Sequence, residues 1–293
     1  MTTHLQDMKI TIVGAGSMAQ AIIRGLISKS FTSPDKIAVT NNQNYDRLHE
    51  LQTLYGIHIP TNEADKDSLV REANLVIIAM KPKDAAGSFA RIKDLVSTDQ
   101  LLISVVAGLS ISTIETMLNP KIIPIARTMP NTSATIGLGA TALSFSEHVS
   151  EEQQELAAKL FRAVGMVSIV DESKLDMVTG VSGCGPAYVY YLMESLIKAS
   201  VEGGLTVEEA QALTIQTVIG AAHMVKETGE EPKDLRRKVT SPGGATEAAI
   251  EVLDSHHFSE GMVRAVFRAA ERSQEMGDQI AAQCLRTTNS IKM

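Results

Sequence analysis

Short apolar runs punctuate the first half of the chain. Lys9–Val13, Lys36–Thr40, Leu75–Ala79, Leu101–Ala107 and Ile122–Ala126 are rich in β-branched residues and predict buried strands. Helically patterned segments lie between them, among them Ser112–Leu118, where Ser112 and Glu115 have capping-box spacing. Leu138–Leu143 and Met166–Val170 predict two more strands around a helix over Glu151–Val164, capped by Ser150 and Gln153. Strands alternating with helices predict a parallel, doubly wound sheet. From about residue 171 the strand signals stop. Tyr188, Tyr191, Leu192, Ser195, Leu196 and Ala199 share one helical face, and Gly203-Gly204 ends that helix. Thr206 and Glu209 cap a second helix, with Ala210, Leu213, Thr217, Val218, Ala221, Ala222 and Val225 on one side. A third follows Pro242-Gly243-Gly244, and a fourth carries Val263, Val266, Phe267 and Ala270 in register. The expected division is an α/β domain over 1–170 and an all-α domain over 171–293.

Several helices of the second half are apolar on more than one face and rich in small residues. That predicts a second buried surface supplied by another copy of the chain, with a large self-contained helical core as the alternative.

The chain has 293 residues, 44% hydrophobic and 21% charged, as expected of a globular protein with a full core. A net charge of −7, with scattered basic residues, argues against a nucleic-acid partner. Cys184 and Cys284 have neither metal-ligand spacing nor a disulfide framework, so no metal is expected and a reducing, cytoplasmic compartment is. The N-terminal residues lack the charged and apolar blocks of a signal peptide, and no apolar stretch is long enough to cross a bilayer.

The chemistry begins at Gly14-Ala15-Gly16-Ser17-Met18-Ala19, between the first strand and a helix starting near Ser17. Gly14 suits a tight turn, Gly16 lets the backbone approach phosphates, and Ala19 allows close helix–strand packing. The helix end directs free N–H groups at an anion, which predicts a dinucleotide, although an ordinary glycine turn has the same string. NAD-specific sites place a carboxylate at the end of the second strand. Here Thr40-Asn41-Asn42 offers none, which favours NADPH and leaves NADH open; Asn41 and Asn42 also suit a simple turn. Arg47 stands near, either toward the cofactor or on a solvated helix face.

Four further strings draw notice. Ala79-Met80-Lys81-Pro82 follows a strand at the sheet edge where ligands bind, so Lys81 is either a cofactor neighbour or a loop lysine. Arg127-Thr128-Met129-Pro130-Asn131-Thr132 suits a rigid turn with a polar role toward nicotinamide or substrate. Ser182-Gly183-Cys184-Gly185-Pro186-Ala187-Tyr188 gives a close backbone approach or helix–helix packing, and no adjacent cation activates Cys184 as a nucleophile. Thr240-Ser241-Pro242-Gly243-Gly244-Ala245-Thr246 forms an anion nest at a helix start, or caps that helix through Ser241 or Thr246.

Taken in order, these strings resemble the pyrroline-5-carboxylate reductase family along essentially the whole chain, most specifically at 240–246. The resemblance implies a Rossmann domain, a helical dimerisation and substrate-binding domain, and reduction of a cyclic imine by NAD(P)H to L-proline. It also implies homodimers that assemble into larger rings, commonly decamers. Gly14, Gly16, Ser17 and Met18 would meet the pyrophosphate, Asn62 the adenosine, Ala79, Lys81 and Pro82 the cofactor's path, and Ala107 the nicotinamide end. Ser241, Gly244, Ala245 and Thr246 would hold the substrate, with Thr246 bonded to the ring nitrogen and relaying a proton. Where the family often has serine this chain has Cys184, and its stretch from Asn62 to Leu75 is longer than usual. A related β-hydroxyacid dehydrogenase or general imine reductase would need a catalytic lysine or acid on the first long helix of the second domain; Lys198 comes late there. A nucleotide-sensing protein without activity is the other alternative, and the intact loop at 240–246 speaks against it.

Overall fold

A computed structural model describes residues 7–42 and 44–290, with 285–290 as helical backbone; the segment read for a leader falls partly outside them. Seven strands, β1 (Ile10–Val13), β2 (Ile37–Thr40), β3 (Leu75–Ile78), β4 (Leu101–Ser104), β5 (Ile125–Met129), β6 (Gly139–Phe145) and β7 (Gly165–Ile169), form one sheet in the order β2-β1-β3-β4-β5-β6-β7. The helices of this half are α1 (Ser17–Ser28), α2 (Tyr45–Tyr55), α3 (Glu63–Arg71), α4 (Ala85–Ile92), α5 (Ile111–Leu118), α6 (Glu151–Arg162) and the single turn α7 (Leu175–Val178). Four follow over 185–255: α8 (Gly185–Glu202), α9 (Val207–Thr228), α10 (Pro232–Lys238) and α11 (Ala245–Ser255). The last is α12 (Phe258–Ser290).

Strands β1 to β4 read as continuous apolar runs because both faces are covered. Leu75, Ile77, Leu101 and Ile103 enter one core with α1 and α6; Val76, Ile78 and Leu102 alternate into another with α4 and α5. The sheet departs from the expected all-parallel form: β6 runs antiparallel to β5, and β7 parallel to β6. The cause is the connection. Only Pro130–Leu138, with a 3₁₀ turn at Thr132–Ile136, joins β5 to β6, too little for a crossover helix, so the chain returns beside β5.

Two local expectations shift. The fourth strand ends at Ser104 rather than Ala107, because Gly108 turns the chain at φ +76°. Helix α5 is capped two residues before the expected Ser112, by Ser110, whose hydroxyl accepts from the Thr113 N–H at 3.1 Å. The boxes at Ser150/Gln153 and Thr206/Glu209 form as expected. Helix α10 has no apolar periodicity that would predict it.

The chain divides into two compact units, Met1–Cys184 with Arg268–Met293, and Gly185–Phe267. The composition change near residue 171 marks where strands end. The compact division falls elsewhere because the last part of α12 packs with the sheet, placing Ile280 and Cys284 in the core with Ile78 and Leu102. In the second unit α8 and α9 pack together, and α9 buries Ala210 and Thr214. Apolar residues on the expected faces, among them Leu192, Leu196, Leu213, Val263 and Phe267, remain exposed in the single chain, Tyr191 at 74%.

Candidate active site

Between β1 and β3 the winding of the sheet reverses, since β2 lies on one side of β1 and β3 on the other. Ligands of such sheets bind beyond the strand ends at that reversal. Gly14 stands there at φ +118°, its N–H donating to the Thr40 carbonyl at 2.8 Å. A Cβ on Gly14 would lie 2.2 Å from the Ala79 oxygen, so only glycine closes this corner. Gly16 caps α1 at φ −77°; no side chain caps the helix and no acid occupies its first turn. A Cβ on Gly16 would meet no atom within 4 Å, leaving the approach to the amides of α1 open. Ser17 is exposed there, Met18 packs partly on the core, and Ala19 is fully buried. These features fit a dinucleotide pyrophosphate.

Beside this turn lies a cleft of about 170 Å³ walled by Val13, Gly14, Thr40, Asn41, Asn42, Met80, Asp84 and Ser88. It brings Gly14, Asn41 and Asn42 together. Asn62 is not in its wall; its Oδ1 accepts from the Asp65 N–H at 2.9 Å and caps α3. Lys81 is exposed at the start of the 3₁₀ turn Pro82–Asp84, and Pro82 is half-buried. Ala107 precedes Gly108, whose added Cβ would sit 2.7 Å from the Ser273 oxygen, so this loop rests backbone to backbone on α12 at Gly277.

Sequence reading missed the groups that brace the cleft. Arg47 is half-buried rather than on a solvated face: its Nε donates to the Ala15 carbonyl at 3.2 Å, one Nη to Gln20 Oε1, and the other pairs with Glu50 at 2.6 Å. It bolts α2 to the glycine turn. Lys66 is buried on α3, its Nζ donating to the Asn41 carbonyl (3.2 Å) and Asn42 Oδ1 (2.9 Å). Burial, then repulsion from Arg91, holds its ammonium below the usual lysine range. Nothing in the sequence marked this lysine; only folding brings α3 under the β2 turn.

The string at 127–132 turns its polar groups inward. Arg127 pairs with Glu172 (3.0 Å) and Asp176 (3.4 Å), and Asp176 also accepts from the Ser273 hydroxyl at 2.6 Å. Asn131 bonds the Ser182 carbonyl and the Ala140 N–H. Gly183 faces Met129, where a Cβ would be 2.5 Å from its methyl carbon. Cys184 is half-buried.

The loop at 240–246 leads into α11. Gly243 takes φ +72°, the Gly244 N–H donates to the Ser241 carbonyl at 2.9 Å, and Gly244 caps the helix without a side-chain bond. The capping role open to Ser241 or Thr246 is therefore unused. Glu247 Oε2 reaches back to accept the Gly243 N–H at 2.7 Å and fixes the turn. Ser241, Ala245 and Thr246 are exposed, Gly244 half-buried. Lys198 is exposed, 3.9 Å from Glu202. Among the described residues, no helix is long and apolar enough to cross a membrane.

Residues 172–276 match the family model described as pyrroline-5-carboxylate reductase dimerisation, and residues 9–108 match that of NADP oxidoreductase coenzyme F420-dependent. The chain is 39% identical to pyrroline-5-carboxylate reductase 1 of Bacillus spizizenii, over all of this chain and 97% of the relative. It is 42% identical to pyrroline-5-carboxylate reductase 2 of Bacillus subtilis, over 94% and 98%. A solved pyrroline-5-carboxylate reductase from Coxiella burnetii superposes with a TM-score of 0.82 at 38% identity, over 92% of this chain and 98% of that one.

Proposed function

Because this chain belongs to the pyrroline-5-carboxylate reductase family, we propose that it reduces the C=N bond of 1-pyrroline-5-carboxylate to L-proline, using NADPH in preference to NADH. One observation carries the reading beyond membership. Helices α1 and α11 both open on glycine, and in neither does a side chain occupy the free amides. One end suits a diphosphate, the other a small carboxylate.

The reduced nicotinamide supplies the hydride that joins the imine carbon, while the C=N electron pair moves to a ring nitrogen already protonated. The reaction needs orientation and charge placement more than a strong acid. Gly14, Gly16, Ser17 and Met18 hold the pyrophosphate, and Asn41 and Asn42 the adenosine ribose. Asn62 approaches the adenosine, Ala79, Lys81 and Pro82 line the cofactor's path, and Ala107 meets the nicotinamide end. Ser241 and the amides of Ala245 and Thr246 hold the carboxylate, Gly244, its own N–H taken by the Ser241 carbonyl, leaves room for it, and the Thr246 hydroxyl bonds the ring nitrogen. Residues 1–170 serve the cofactor and 171–293 pairing and substrate. Dimers assemble into a ring such as a decamer, in the cytoplasm.

The purified protein, given pyrroline-5-carboxylate, should oxidise NADPH faster than NADH and form proline. Absence of turnover with both would overturn the reading.

A further inference from the structure

Lys66 is an expensive group to bury, and α3 alone gives no reason for it. Its side chain is 7% exposed. Arg91 engages both Glu63 and Asp67, the latter at 3.1 Å, and leaves Glu63 no closer than 3.9 Å to the Lys66 ammonium. The short bonds of Lys66 go instead to the Asn41 carbonyl and the Asn42 side chain. An ammonium only donates, so the Asn42 carboxamide must turn its oxygen toward Lys66 and its NH₂ away. Asn42 is exposed in the wall of the cleft, and its NH₂ has no partner among the described residues. Thr40, in the same wall, has a buried hydroxyl without a hydrogen-bond partner among the described residues. The carboxylate of the cleft, Asp84, follows β3, on the far side of Gly14 from this turn.

We propose that Lys66 is a positioning residue for cofactor choice: it locks Asn42 as a hydrogen-bond donor at the end of β2, so that this turn accepts a phosphorylated ribose. The proposal rests on the NADPH reading above and extends it to a residue that does not touch the cofactor. A free asparagine could offer its oxygen to a ribose hydroxyl as readily as its NH₂ to a phosphate; the lysine removes that choice.

The test is calorimetric binding of adenosine 2′,5′-bisphosphate and adenosine 5′-monophosphate to the full chain, with no turnover involved. The wild type should prefer the bisphosphate. Lys66→Met should cut that preference by about tenfold and leave monophosphate affinity within about twofold, the loss expected for one charge-assisted hydrogen bond. Lys66→Arg should keep it. Asn42→Asp, which still accepts from Lys66 but has no donor and repels a phosphate, should abolish it; Lys66→Gln, whose amide can accept as well as donate, should weaken it and decides the matter should Lys66→Met fail to fold. A wild type with no preference would overturn the NADPH reading and this inference together. A wild-type preference that persists unchanged in Lys66→Met, or in Asn42→Asp, would overturn the inference alone.

Discussion

Thr246 stands in the first turn of α11, two residues past the glycine cap, where no side chain competes for the helix amides. If its hydroxyl meets the imine nitrogen, the loss falls on the chemical step. Thr246→Ala should lower kcat/KM by roughly 10- to 100-fold with NADPH affinity unchanged. Steady-state kinetics with a separate cofactor-binding measurement checks this, and an unaltered kcat/KM would remove Thr246 from the reaction. Glycines 14 and 16 show how two residues of one motif differ in purpose. Gly14 is demanded by the neighbouring Ala79 carbonyl, whereas Gly16 keeps clear a volume that the chain does not fill.

At the scale of elements, α12 makes two demands on its sequence. A Cβ on Gly277 would lie 2.3 Å from the Gly108 oxygen. Alanine ordinarily gains about 1 kcal/mol over glycine inside a helix. Here it must push away the turn that carries Ala107, at about 1–3 kcal/mol for overpacking. Gly277→Ala should therefore destabilise the protein in denaturant unfolding and weaken turnover through displacement of Ala107. The second demand is electrostatic. Hydrogen bonds from Arg268 and Arg272 lower the Glu275 carboxyl from 4.5 to about 2. A lowered folded-state value stabilises above the ordinary value and loses that contribution as pH falls through the folded one. The difference in Tm between wild type and Glu275→Gln should hold above pH 4.5 and fade toward pH 2.

The whole molecule raises the question of what covers the second unit. Its helices expose Leu192, Leu196, Leu213, Ile219 and Val252, apolar surface that a helical body of this size does not leave in water. The stretch 172–276 matches a dimerisation domain, which fits a second copy as the cover. Sedimentation should give no monomer at micromolar concentration, and charge placed in this surface, as in Leu213→Glu, should dissociate the assembly. A ring would appear as a discrete particle of several dimers.

Much of this was legible in the residues. Period-two and period-3.6 patterning located the strands and long helices, because each element must bury its own apolar face. The glycine turn and the loop at 240–246 were legible because backbone at φ > 0 or pressed against other backbone admits few residue types. Tertiary structure decided what depends on distant neighbours: the reversed direction of β6 and β7, set by a short connection, and the inward use of Arg127 and Asn131. It also decided the burial of Lys66 beneath the Asn41–Asn42 turn and the return of α12 to the sheet. A lysine on a short helix looks the same in sequence whether it meets water or a turn 24 residues away; only the packing of one element on another tells them apart.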